Sequence, residues 1–203
     1  MPDSLARRIT MPEAKSLIGG LAQTNHYVVS FSSLTPAVET YLRRYSRLKN
    51  LRDFLSRRAG ILCSDASLPT SNLATAEVKD SFMGIPQEYA HTRLYTDTDF
   101  TFYVDQDYTI LKIFEGWMEY IGSGAKRSIR QQDKGYYRRM QYPDNYKVNT
   151  MQITKFEKNH RRELKYKFIN AFPKAITPIQ VSYGDADVLR VTVSFNFDRY
   201  VVF

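Results

Sequence analysis

Reactive and metal-binding residues are scarce in this chain. Its 203 residues include one cysteine (Cys63), three histidines and one tryptophan. A single thiol excludes an intramolecular disulfide and points to synthesis in a reducing compartment. His26, His91 and His160 fall in three separate regions, none near Cys63. Neither a zinc spacing nor a Cys–His nucleophile pattern is therefore present. A Gly-rich phosphate loop, a dinucleotide fingerprint and a serine elbow are also missing. No run approaches the roughly 18 uninterrupted apolar residues of a membrane helix. Residues 1–10 lack the apolar core of a secretory signal. The expectation is a protein with no enzymatic activity, no cofactor, no metal and no membrane insertion.

What is present is the composition of one folded domain: 43% hydrophobic and 25% charged residues, which excludes wholesale disorder. Aromatics reach 14%, and 29 basic against 21 acidic residues leave a net charge of +8. Basic and aromatic together suggest a nucleic-acid or acidic-surface partner. The charge is unevenly spread. Residues 1–60 carry a net +6, residues 61–120 a net −7 and residues 121–203 a net +9. Surfaces of opposite sign on one molecule favour head-to-tail association, unless the three segments interleave in space and the charges mix.

Residues 1–24 read as a polar, basic arm closed by Gly19-Gly20. The rest, 25–203, reads as a single domain. A first strand is expected over 26–32. Thr35 then suits an N-cap with Pro36 at the first helical position. Tyr41, Leu42, Tyr45, Leu48, Leu51 and Leu55 recur at helical spacing, and Gly60 suits a C-cap. This amphipathic segment, about 36–60, presents Arg43, Arg44, Arg47, Arg57 and Arg58 as a basic face. That face is either simply solvated or a contact for a partner.

A short buried strand is expected over 61–66, followed by a Ser/Thr/Asn/Ala loop over 70–81. A structureless loop of that length tends to be functional or disordered. Its contact candidates are Thr70, Ser71, Asn72, Thr75, Glu77, Lys79 and Asp80. Segments 85–95 and 99–105 read as a strand pair around Thr96-Asp97-Thr98. Ile110, Ile113, Phe114, Trp117 and Ile121 then mark the core helix. The acids Asp97, Asp99, Asp105 and Asp107 do not form a carboxylate pair. Asp99 and Asp105 stand about 20 Å apart at opposite ends of a strand, and glycosidic pairs sit within about 9.5 Å. Asp97 suits a turn and Asp107 an N-cap. Residues 126–147 interleave basic and aromatic side chains, as single-strand binders do, but with no accompanying motif, so a solvated or subunit-facing loop is the favoured alternative. Segments 148–156 and 164–172 form a hairpin, and 189–198 alternates without fault. The class is α+β, mainly β: a β-sandwich or barrel with one flanking core helix and an inserted amphipathic helix.

Several motifs occur in a telling order: Leu62-Cys63-Ser64-Asp65-Ala66-Ser67-Leu68-Pro69, then Asp99-Phe100-Thr101-Phe102-Tyr103-Val104, then Phe114-Glu115-Gly116-Trp117. The hairpin with Phe172-Pro173, then Ser182-Tyr183-Gly184, and finally Val191-Thr192-Val193-Ser194-Phe195-Asn196-Phe197-Asp198-Arg199-Tyr200 complete it. The series resembles the tail tube proteins of contractile-tailed bacteriophages, over residues 25–33 and 61–203. Segment 36–60 departs from the shortest members, as an insertion between the first two strands. The resemblance implies a fold similar to the secreted tube proteins of type VI systems. It implies six subunits closing a ring around an inner β-barrel, and rings stacked into a tube inside the sheath of a virion tail. The partners so implied are other copies of the chain, sheath and baseplate proteins, with DNA as transient cargo in the lumen. Synthesis is expected in the host cytoplasm. The loop at 70–81 and the N-terminal arm are then expected to contact the next ring. The basic helix 36–59 and the 126–139 segment are expected off the channel wall, because each cation meeting a phosphate adds affinity. A tube-initiating baseplate ring, an injection-particle tube and, from another class, a sequence-tolerant nucleic-acid-binding protein are the alternatives.

Overall fold

The computed structural model describes residues 11–12, 24–31, 33–46, 50–79, 84–122, 140–157, 162–179, 181, 183–184 and 187–203. Its strands are β1 (Tyr27–Phe31), β2 (Cys63–Ala66), β3 (Ser71–Val78), β4 (Gln87–Tyr95), β5 (Thr98–Tyr103), β6 (Met151–Phe156), β7 (Glu163–Ile169), β8 (Phe172–Ile176), β9 (Arg190–Asn196) and β10 (Arg199–Val202). Two open, four-stranded antiparallel sheets form, in the orders β1-β6-β7-β10 and β2-β5-β9-β8. Neither closes on itself, so the sandwich expectation holds and the barrel does not.

Alternation builds the core between the two sheets. Phe100 and Phe102 of β5 and Val191, Val193 and Phe195 of β9 point inward and are buried. From the other sheet come Val29, Phe31, Met151, Ile153 and Phe168. Rings meet across the gap at 5.9 Å for Phe31–Phe195 and 6.3 Å for Phe100–Phe168. The helix expected over the core is α4 (Thr109–Ile121). Its buried stripe, Ile110, Ile113, Phe114 and Trp117, closes the sandwich: Phe114 lies 5.2 Å from Phe102 and 5.6 Å from Phe195. Its cap differs from the sequence reading. Asp105 Oδ1, not Asp107, accepts the Thr109 N–H at 2.7 Å. Tyr108 takes the left-handed conformation at the N-cap, with φ 54°.

The amphipathic segment is not one helix. α1 (Pro36–Ser46) is followed by α2 (Leu51–Asp53), a π-helical turn (Phe54–Arg58) and α3 (Ala59–Leu62). Pro36 does open α1. The Thr35 carbonyl takes the first helical N–H, from Glu39, while the Thr35 hydroxyl reaches across to the Asn145 carbonyl in α5 (Pro143–Tyr146). Helix also claims Ile61 and Leu62, so β2 begins only at Cys63. Gly60 lies inside α3 and not at a C-cap. An added Cβ there would stand 2.3 Å from the Val29 carbonyl oxygen, so glycine is what lets the helix lie against β1. Val38, Leu42, Leu51, Phe54, Leu55 and Ala59 of this segment all join the core.

The largest departure is at 70–81. The expected loop is strand β3, and it pairs with β4 as a separate two-stranded sheet. β4 therefore does not pair with β5 as its neighbour in sequence. β5 lies between β2 and β9 instead. The hairpin of β6 with β7 and the clean alternation of β9 stand as read.

Candidate assembly surfaces

The β3–β4 hairpin carries no core of its own. Its register runs from Ser71↔Tyr95 to Val78↔Gln87, with His91 as the extra residue of a bulge between Ala74 and Thr75. One face holds Asn72, Ala74, Ala76 and Val78 against Leu94, Thr92, Tyr89 and Gln87. The other holds Ser71, Leu73, Thr75 and Glu77 against Tyr95, Arg93, Ala90 and Glu88. Both faces are open: Leu73, Val78, Tyr89 and Leu94 are each more than half exposed. Glu77 and Glu88 stand directly opposite each other at the far end, where like charges oppose pairing. Lys79 relieves Glu77 from 3.2 Å. An isolated two-stranded hairpin is marginal in water, and a sheet bare on both faces gains most from being covered.

Of the loop residues singled out from sequence, Thr70 and Ser71 sit at the root of this hairpin. Thr70 Oγ1 is 2.7 Å from Thr96 Oγ1, and Ser71 Oγ accepts from Arg93 Nε at 3.0 Å. Asn72, Thr75, Glu77 and Lys79 lie exposed along the projecting strand. Asp80 lies outside the described residues.

The basic face is partly occupied from within. Glu39 is buried and takes Arg43 on Oε1 at 2.7 Å and Arg52 on Oε2 at 2.8 and 3.0 Å. These hydrogen bonds, Arg52's first, outweigh burial and hold the Glu39 carboxyl below its ordinary range. Arg57 lies 3.6 Å from Asp53. Arg44 and Arg58 are exposed and make no ion pair among the described residues. Arg47 lies outside them, as do residues 126–139 and all of the 1–24 arm except Met11, Pro12 and Thr24. Sequence reasoning misses Glu39, although its i, i+4 spacing to Arg43 is the signal that points to that pair; the link to Arg52 joins separate helices and leaves no local signal.

Two aspartates act as corner posts. Asp97, between β4 and β5, accepts from Lys174 on β8 and Asn196 on β9. Partial burial alone would raise its carboxyl, but these two donors bring it below the ordinary range. Asp198, between β9 and β10, is held low in the same way by Lys147 and Asn170.

The outward rows of the two sheets differ in chemistry. Asp99, Thr101 and Tyr103 of β5 stand beside Ser194, Thr192 and Arg190 of β9. Arg190 lies over the Tyr103 ring at 5.2 Å and Thr101 and Thr192 share a hydrogen bond of 3.0 Å. The other sheet turns Lys165, Lys167 and Arg199 outward, and among the described residues only Lys165 of these is ion-paired, to Glu163. Among the described residues no three His, Cys, Asp or Glu side chains gather as a metal site, and no helix is long and apolar enough to cross a membrane.

A model of the phage tail tube protein family matches residues 22–203. No curated protein sequence matches the chain. Among solved structures, the chain is similar to the anti-feeding prophage cap, a tube terminating cap. The TM-score is 0.55 at 12% identity, covering 90% of this chain and 91% of that one. It is also similar to the PVC sheath/tube terminator of an extracellular contractile injection system in its extended state. There the TM-score is 0.52 at 11% identity, covering 90% and 96% of the two chains. Hcp1 from Salmonella typhimurium overlaps more loosely, at a TM-score of 0.39 and 11% identity over 87% of this chain and 91% of its own. At such identities what the first two share with this chain is the fold.

Proposed function

This chain belongs to the phage tail tube protein family, and on that premise we propose that it is a structural subunit which joins copies of itself into stacked rings. The observation that carries this reading is the bare hairpin. A sheet that exposes Ala74, Ala76, Val78, Tyr89 and Leu94 on one face is stabilised when a neighbouring copy covers that face. Asn72 shares that face and is then a contact between copies, while Thr75 and Glu77 of the opposite face, with Lys79 and Asp80 beyond Val78, are contacts for a copy on the other side. Of the edge strands of the two sandwich sheets, β10 and β8 are the candidates to pair around a ring of six, since α3 lies against β1 and Tyr27 of β1 bonds the Cys63 carbonyl of β2.

DNA is the cargo of the tube in this reading, and its wall should not hold a polyanion. The outward row of the β2-β5-β9-β8 sheet fits that need, since hydroxyls dominate it and Arg190 and Lys174 are both engaged. The row with Lys167 and Arg199 faces away from the bore, as do Arg44 and Arg58, toward the sheath or a neighbouring ring. The subunit so placed is part of the virion tail, with sheath and baseplate proteins as its other partners.

Negative-stain microscopy of the purified full chain tests this. Long tubes are expected, and Tyr89→Ser combined with Leu94→Ser should leave a folded chain that no longer forms them. Isolated rings that never lengthen would place the subunit at a tube end. Monomers that bind DNA with a steep salt dependence would overturn the reading in favour of a nucleic-acid-binding protein.

A further inference from the structure

The root of the hairpin is built differently from the rest of it. Thr96 and Asp97 alone separate β4 from β5, and Asp97 is fixed to the sandwich by Lys174 and Asn196. Just before this corner, the Arg93 guanidinium lies over two rings, 5.3 Å from the Tyr95 centroid and 5.6 Å from that of Tyr200. Its Nε donates to Ser71 Oγ at 3.0 Å, and the Tyr200 hydroxyl reaches the same oxygen at 3.3 Å. Tyr95 and Tyr200 in turn meet edge to face at 5.5 Å. Both contact Phe197, which packs 4.9 Å from the buried Phe168. One cation thus ties both strands of the hairpin to β10 and, through the rings, to the core. A planar guanidinium that stacks on both rings while its Nε donates suits this place, where a lysine would supply charge and donors without the plane.

Without that tie, the hairpin would swing about its corner, because beyond Tyr95 and Arg93 neither of its faces is packed among the described residues. An arm that samples many angles loses more entropy on docking than one already aimed. We infer that Arg93, acting through Tyr200 and Ser71, is a positioning residue that sets the angle of the hairpin before any partner arrives. The inference rests on the reading of the hairpin as the contact between copies.

The test compares Arg93→Ala and Arg93→Lys in the full chain, with Tyr89→Ser as a control at the far end of the hairpin. Two quantities are read: amide hydrogen exchange of β3 and β4 in the unassembled chain, and the protein concentration at which polymer first forms. Arg93→Ala should speed exchange in the hairpin severalfold while leaving β5 and β9 protected. It should also raise the assembly concentration severalfold, with Arg93→Lys recovering part of both losses. Unchanged hairpin exchange, or an unchanged assembly concentration, in Arg93→Ala would overturn the inference. If Tyr89→Ser also assembled normally, the contact role of the hairpin would fall with it. If Tyr89→Ser failed to assemble while Arg93→Ala did not, only the positioning role would be lost.

Discussion

Gly60 and Glu39 show how much single positions matter beneath the basic surface. At Gly60 the obstacle to a side chain is a strand carbonyl, which cannot turn aside as a side chain can. Gly60→Ala should therefore cost about 2–3 kcal/mol of stability, read from chemical denaturation of the unassembled chain. Sequence periodicity reads this glycine as a helix end, because its true constraint comes from Val29, distant along the chain. Glu39 is a buried acid satisfied by two arginines that are themselves largely exposed. Glu39→Gln should lose about 2 kcal/mol at neutral pH. The sign of its pH dependence follows from a carboxyl lowered in the folded state. The stabilisation is complete above the ordinary value of 4.5 and is lost as the pH falls below it toward the folded value. Denaturation of wild type and Glu39→Gln should thus converge in acid, and a constant gap down to pH 2–3 would contradict the ion-pair account.

At the scale of elements, legibility tracked burial. β9 and α4 were plain in the sequence because their inward residues are a gapless apolar row or stripe, and each is pressed against a core the chain itself supplies. β3 was hidden for the opposite reason. Ser71-Asn72-Leu73-Ala74-Thr75-Ala76-Glu77-Val78 has no continuous apolar row, since no described residue outside the hairpin covers it. Its partner β4 was seen as a strand but matched to β5, the nearest in sequence, because the register with β3 is set through space. The break in the amphipathic segment was equally invisible: Leu51, Phe54 and Leu55 keep the helical spacing while the chain changes direction to reach the core. An element that buries so little should be dispensable to the fold. Replacing residues 72–94 by a short Gly/Ser turn should shift the unfolding free energy of the unassembled chain by only about 1 kcal/mol, measured by thermal denaturation, while tube formation is lost.

At the scale of the molecule, the three charge segments of the sequence do not form three patches among the described residues. Part of the first is neutralised by Glu39 and Asp53. The acids of the middle segment divide among the hairpin, the Asp97 corner and α4; of the described bases in the last segment, Lys165, Lys167 and Arg199 lie outside one sheet, while Lys174 and Arg190 belong to the other. What segregates is chemistry by sheet face, which no linear sum over the chain can reveal. The single thiol makes this testable. Cys63 is buried, and burial pushes its thiol up to about 12, so it contributes little background reactivity. In assembled tubes, Thr192→Cys should react with a small maleimide but be shielded from a bulky polymer-linked one, whereas Lys167→Cys should react with both. Equal reaction of the two with the bulky reagent would remove the β2-β5-β9-β8 face from the bore.

The hairpin also gives the molecule a direction. In the proposed assembly a copy receives a neighbour's arm at one surface and offers its own from another, so it has the two unlike ends of a linkable unit in a growing polymer. A copy with the arm cut short would still accept a neighbour but offer nothing onward. Mixed in at a small mole fraction, it would act as a chain stopper. Tube length would then be set by the ratio of the two species and not by the total amount of protein.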